Sequence, residues 1–209
     1  MPQSSNTVSQ VIDPIQFGRV LWPHVHFYDK QREIIYSVRD NDETIVHAGN
    51  MLGKDFVSAF IVLWFFLSRH PCRIVTTSVD HTQLESVLWG EIRRFIQEAQ
   101  HPLSSEKGGP VVVNHLHLRK IVRGEQCGLS YAIGRTCAKG RSEGMLGHHI
   151  AELGDGIPRT LMIADEASGV DNEPWEKADT WARRKLAIGN PYRCTNFFYD
   201  AYKEGDIPR

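Results

Sequence analysis

The stretch "AGNMLGKDF", residues 48 to 56, sets two glycines, a lysine and a carboxylate within one short loop. Backbone N–H groups in such a loop can face a single anion, and a lysine directly after the second glycine can reach phosphate oxygens. The usual phosphate-loop pattern is G-x-x-x-x-G-K-[ST]. Here Ala48 replaces the first glycine, and Asp55 stands where a hydroxyl would hold a metal ion. Ala48 has little bulk, and Gly49 is expected to supply the positive-φ turn in its stead. Asp55 is also a hard oxygen ligand, but it adds negative charge beside a triphosphate. The competing reading of the stretch is a strand-turn-helix corner with an acidic residue favoured by the helix dipole.

Context favours a phosphate site. A β-type run, "ETIVHA" (43 to 48), leads into the loop, and the apolar run "FVSAFIVLWFFL" (56 to 67) follows it. Further on, "TLMIADEAS" (160 to 168) carries an apolar run into Asp165 and Glu166. A buried strand of this kind delivers the first carboxylate to its C-terminal edge to hold Mg²⁺, and the second can deprotonate an attacking water. "LAIGNPY" (186 to 192) ends a strand at Asn190, an amide able to sense a γ-phosphate. "FYDKQREII" (27 to 35) offers Tyr28 and Gln31 as an aromatic face and an amide for an adenine.

The elements needed to position these groups follow from periodicity. Short β-rich runs at 43–48, 72–78, 111–122, 129–134, 160–165 and 186–190 alternate with helical patterns, which predicts a mostly parallel sheet flanked by helices. "DHTQLESVLWGEIRRFIQEAQ" predicts a helix with Leu84, Val87, Leu88, Ile92 and Phe95 on one stripe, Asp80 as N-cap and Gln83 at N3. "WEKADTWARRKLA" (175 to 187) reads as helical after Pro174, and "MPQSSNTVSQ" as a loose polar tail.

Bulk composition excludes several classes. With 24 basic against 25 acidic side chains the net charge is -1, so any polyanion must be met by a local patch. The basic clusters are short: Arg93 and Arg94, Arg119 to Arg123, Arg135 to Arg141, Arg183 to Lys185. The 4 cysteines show no C-x-x-C pairing, which argues against zinc or a disulfide framework. His115 and His117 alternate within an expected strand, but no third ligand falls near them in sequence. The longest apolar run is shorter than the roughly 20 residues of a membrane span.

Taken in order, "YDKQREI", "AGNMLGKD", "RIVTTSVDHTQLESVLWGEI", "LMIADEASGV" and "AIGNP" resemble the ATPase domain of the large terminase subunit of tailed phages, the motor that packages DNA into procapsids. The resemblance implies a P-loop NTPase with a RecA-like, mostly parallel sheet over residues 27–209, preceded by a lead-in at 1–26. It implies ATP and Mg²⁺ as cofactors. Tyr28, Gln31, Gly49, Asn50, Met51, Leu52, Gly53, Lys54, Asp55 and Phe56 would surround the nucleotide, with Lys54 on the phosphates. Asp165 would hold the metal, with Asp55 as a further ligand, Glu166 would act as base, and Asn190 would couple hydrolysis to movement. A charge-neutralising arginine, which the family sometimes supplies from a neighbouring subunit in a ring, is expected at Arg141 first and Arg135 second. Implied partners are double-stranded DNA, a portal protein, a small terminase subunit and further copies in a ring, in the cytoplasm of a bacterial host and without a membrane. The family's C-terminal nuclease domain, and with it DNA cleavage, is not expected of this chain. Two rival readings are a helicase-like nucleic-acid-dependent ATPase and a nucleotide-binding module in which Asp55 has removed hydrolysis.

Overall fold

β6 (Thr160–Asp165) is buried along its whole length, and β7 (Arg184–Gly189) from its second residue onward. Continuous apolar runs of this kind belong to parallel strands covered on both faces. The computed structural model describes residues 12–49, 51–137, 143–192 and 195–203. Its seven strands form one sheet in the order β1 (Glu43–His47), β7, β6, β2 (Arg73–Ser78), β5 (Glu125–Thr136), β4 (His117–Val122), β3 (Val111–Asn114). The first five are parallel neighbours, and β5, β4 and β3 pair antiparallel. The fold is therefore α/β with a mostly parallel sheet, as the alternation of runs predicts.

Period-two alternation sorts each strand between two cores. Leu161 and Ile163 of β6 join the first core, beneath α1 (Pro14–Leu21), α2 (Asp29–Asp40), α3 (Lys54–Ser68) and α5 (Trp89–Glu98). Met162 and Ala164 face the opposite core, which α6 (Asn172–Ala178) and α7 (Phe197–Lys203) cover with Trp175 and Phe198. α3 is apolar nearly all round because it lies between the sheet and the outer helices. Part of the expected lead-in is an ordered helix: Asp13 caps α1 by accepting from the Gln16 N–H at 2.9 Å, and Pro14 opens it. Trp22, fully buried after α1, donates through Nε1 to the Phe95 carbonyl at 2.7 Å.

Three expectations need correction. Residues 111–122 are not one strand: the chain turns at His115 and Leu116, and Asn114 pairs with His117. His115 and His117 therefore do not share a strand face. The helix after Asp80 begins as expected, with Asp80 accepting from the Gln83 N–H at 2.7 Å. It then runs from α4 (His81–Gln83) through a π-helical turn, Leu84–Leu88, into α5. The wider turn shifts the phase, so Leu84, Leu88, Trp89, Ile92 and Phe95 are buried while Val87 faces solvent. The Trp89 N–H bonds the Leu84 carbonyl, and the Glu85 carbonyl thereby freed accepts from Arg93, whose other nitrogen reaches the His115 carbonyl. Finally, the helix expected through 175–187 stops at Ala178, because from Arg184 the chain is drawn between β1 and β6 as a strand.

Candidate active site

β1, β7 and β6 lie side by side and parallel, so their C-terminal ends form one edge, the place where open α/β sheets bind ligands. The loop after β1, the turn after β6 and Asn190 after β7 all open there. β1 extends one residue further than its ladder: the Ala48 N–H bonds the Gly189 carbonyl at 2.9 Å. This pairing explains why alanine serves at position 48, where the chain is still extended. Among the described residues of the loop, Met51 (φ 59) and Gly53 (φ 69) are left-handed and Gly49 is not, so Gly49 does not supply the positive-φ turn. Asn50 lies outside the described residues.

Gly53 ends the loop and starts α3. A Cβ at this position would approach Gln31 Nε2 to 2.8 Å, so the Gln31 amide, itself buried, sits directly against the loop. Tyr28 donates its hydroxyl to the Leu52 carbonyl at 2.5 Å. Met51 is fully exposed at the loop's crown, with Leu52 and Tyr28 half-exposed beside it. The two side chains expected to meet an adenine thus brace the loop itself, leaving the Tyr28 ring open to solvent. The Phe56 ring packs between Phe27 and Phe95.

Lys54 is buried and donates to Glu166 Oε1 at 3.0 Å. Glu166 adopts φ 48, ψ 50, a left-handed conformation that a non-glycine residue holds only at some strain. This conformation turns the chain sharply off β6 and brings the Glu166 carboxylate to Lys54. Asp165, one residue earlier, is completely buried, and neither of its carboxylate oxygens has a hydrogen-bond partner. Burial first, then the charges of Asp55 and Glu166, push its carboxyl up to about 8. Burial also raises Asp55, opposed by Lys54 and reinforced by Glu166 and Glu91. Lys54, Asp55, Asp165 and Glu166 are therefore electrostatic neighbours although sequence separates them into two pairs.

Asn190 is buried at the end of β7, between the loop and the Glu166 turn. Gly189 makes that approach feasible, since a Cβ there would lie 2.9 Å from the Ala167 nitrogen. Gly189→Ala is expected to lower stability by roughly 1–3 kcal/mol through overpacking, read as a shift in urea midpoint. Ser78 was missed by sequence reasoning. It ends β2 after Thr77, the partner of Ala164, and its buried hydroxyl has no partner. Only strand register could have revealed it.

Arg141 lies outside the described residues. Arg135 is set apart from the cluster: its chain lies against Gly144, and its charge acts on His117 and His148, whereas Asp165 feels Asp55, Glu166 and Lys54. A cavity of about 320 Å³ occurs at the other pole of the sheet, between Asp42, Asp155, Arg159 and Arg184. Its charges are already matched, Arg159 with Asp155 and Arg184 with Asp42, whereas Asp165 is buried without a partner, which makes the C-terminal edge the stronger candidate.

No protein-family model matches the chain, and no curated protein matches it. Solved structures do. The large terminase ATPase domain of Thermus phage P74-26 is similar with a TM-score of 0.57 at 13% identity, over 88% of this chain and 72% of that one, and a mutant form of it gives 0.59 at 15%. The large terminase of a thermophilic bacteriophage in complex with ADP has a TM-score of 0.55 at 16% identity, over 78% of this chain and 39% of that chain. The same enzyme in complex with ATP-γ-S gives 0.53 at 16%. The chain has the fold of the ATPase domain of phage large terminases.

Proposed function

We propose that this chain hydrolyses ATP, and that it does so as the ATPase domain of a motor translocating double-stranded DNA into a procapsid. The observation that carries the reading is the meeting of Lys54, at the N-terminus of α3, with Glu166 and the buried, unpartnered Asp165 at one sheet edge. A helix N-terminus preceded by a tight loop favours phosphate oxygens, and Lys54 retains donors beyond the one given to Glu166. Glu166 is placed to orient and deprotonate a water for in-line attack on the γ-phosphate. Once phosphate oxygens share Lys54, the carboxylate of Glu166 is freed from its ion pair for that role. Asn190 stands where an amide can report the state of the γ-phosphate to the rest of the fold.

The donor set fits Mg²⁺. Two buried carboxylate oxygens without partners are costly unless a cation or proton satisfies them. Mg²⁺ commonly takes one or two carboxylates and completes its shell with water and substrate phosphates. No three His, Cys, Asp or Glu side chains among the described residues form a metal cage, so further ligands would have to come from water and substrate phosphates. Asp165 would hold the ion, and Asp55, whose charge acts on Asp165, would be a further ligand directly or through water; when bound, the ion supplies charge neutralisation on the phosphate oxygens. The portal protein, the small terminase subunit, a ring of copies and the cytoplasm of a bacterial host belong to the same reading. Among the described residues no helix is long and apolar enough to cross a membrane.

The test is phosphate release from Mg²⁺-ATP, together with nucleotide affinity for Lys54→Ala. Removing the lysine is expected to weaken ATP binding about ten-fold or more, the scale of one lost charge-assisted contact of about 1.5–3 kcal/mol. Unchanged affinity in that variant would sink the phosphate-loop assignment.

A further inference from the structure

The two faces of the sheet are covered unequally. On the first face, Val111 of β3, Leu118 of β4 and Ala132 of β5 are completely buried under α3 and α5. On the other, α6 and α7 cover β6, β7 and β1, and segment 143–149 lies over β5 through His148 against Tyr131 and Gly144 against Arg135, while among the described residues this side of β4 and β3 is uncovered. There Asn114, Arg119 and Arg135 are exposed, and His117, Tyr131 and Ile133 are only partly covered. Register places these side chains together, since Arg119 pairs with Tyr131, His117 with Ile133, and Arg73 of β2 with Tyr131 from the other side.

Among the described residues this face is cationic without a compensating carboxylate. Arg119 donates through Nε to His117 Nε2 at 3.4 Å, and neither Arg119 nor Arg135 has a carboxylate partner among the described residues. His117 is held below its ordinary value by burial, then by Arg119 and Arg135. His148, packed over Tyr131, is lowered by burial and then by Arg135, Arg73 and His149, partly offset by its bond to the Gly144 carbonyl. Every charge acting on these groups is basic, in a chain whose net charge is -1. Arg135 lies four residues along β5 from Tyr131, about 13 Å at strand rise, and Arg73 and Arg119 flank Tyr131 about 10 Å apart across two strand spacings. That spread matches a run of phosphates rather than one anion.

The geometry points to this side of β4 and β3, with the exposed Arg135 at the adjoining end of β5, as the surface on which this chain holds the phosphate backbone of double-stranded DNA, with Arg119 and Arg135 as its contacts. Two of the basic clusters seen in the sequence, Arg119 to Arg123 and the start of Arg135 to Arg141, are brought together by this pairing. The inference rests on the DNA-motor reading, and its test separates the two. Affinity for a fluorescein-labelled duplex is measured by anisotropy across a salt series for wild type, Arg119→Ala, Arg119→Lys and Arg119→Ala/Arg135→Ala. Arg19, exposed on α1 in the layer over the opposite face, provides the control Arg19→Ala. Each lost phosphate contact is expected to reduce the slope of log affinity against log salt by about 0.9 and to weaken binding about three- to ten-fold. Arg119→Lys should keep the slope, Arg19→Ala should match wild type, and Arg119→Ala should leave basal phosphate release unchanged. If wild type binds duplex with the expected slopes but releases no phosphate, the hydrolase reading fails and the surface stands. Equal affinity and slope in the double variant, or tighter binding of a single-stranded oligonucleotide than of duplex, would overturn the proposal.

Discussion

Glu166→Gln is expected to reduce ATP turnover by about 10²- to 10⁴-fold while nucleotide affinity stays within a few-fold of wild type. The amide keeps the shape and can still accept from Lys54 at the present 3.0 Å distance, but it cannot take a proton from water. The strained backbone at Glu166, φ 48, is set by the turn after β6 and not by the carboxylate, so the substitution should leave the fold intact. Stopped-time phosphate release under saturating Mg²⁺-ATP, paired with equilibrium nucleotide binding, separates the two effects. Residual turnover equal to wild type would remove Glu166 from the role of base. A loss of binding as large as the loss of turnover would make it a structural partner of Lys54 instead.

Asp165→Asn is expected to abolish turnover and, in the absence of nucleotide and divalent metal, to make the protein more stable. The carboxyl of Asp165 is buried with both oxygens unpartnered, and its value of about 8 stands far above the ordinary 3.8. A folded-state value raised above the unfolded one means that the folded chain holds a proton the unfolded chain has already released. The stability tied to that proton is complete at acidic pH and declines as pH rises from about 4 toward 8. Each unit of that shift corresponds to about 1.4 kcal/mol, and solvent and structural relaxation reduce the total to the order of a few kcal/mol. Urea denaturation with EDTA from pH 5 to pH 8 should therefore show the wild type losing stability and Asp165→Asn losing markedly less, the remainder coming from Asp55, which burial also raises. Added Mg²⁺ with a nucleotide should restore the wild type at pH 8, because a cation replaces the proton. Parallel pH profiles for the two proteins would show that Asp165 does not carry the buried charge. Stability withheld from the empty protein in this way is a familiar feature of sites built to bind charge.

Both experiments concern residues that the sequence marks clearly. Apolar runs ending in Asp165 and Glu166, and a glycine loop ending in Lys54, are local patterns; each is set by what a short buried strand or a tight turn requires of its own residues. The alternation of such runs with helical patterns is equally local, which is why a mostly parallel α/β sheet was legible. Errors arose where neighbours decided the outcome. The 111–122 run folds back because Val111 to Asn114 find partners in β4, and the helix after Ala178 yields to a strand because β1 and β6 stand ready on either side. Val87 left the apolar stripe when one wide turn altered the helix phase.

By itself, then, the sequence determined the residue types of a phosphate site and the order in which the chain supplies them. Tertiary structure decided which of them meet. Lys54 and Glu166 are 112 positions apart and are joined only because β1, β7 and β6 lie side by side. Asp55, ambiguous when read in its loop alone, becomes one of three carboxylates in a common field once α3 is placed over that edge. Arg135, the second choice for a charge-neutralising arginine, is set by β5 on the same side of the sheet as Arg119 and against Gly144. The reason is the same in each case: burial and charge act through space, and distance in space is set by strand order, which no local pattern encodes.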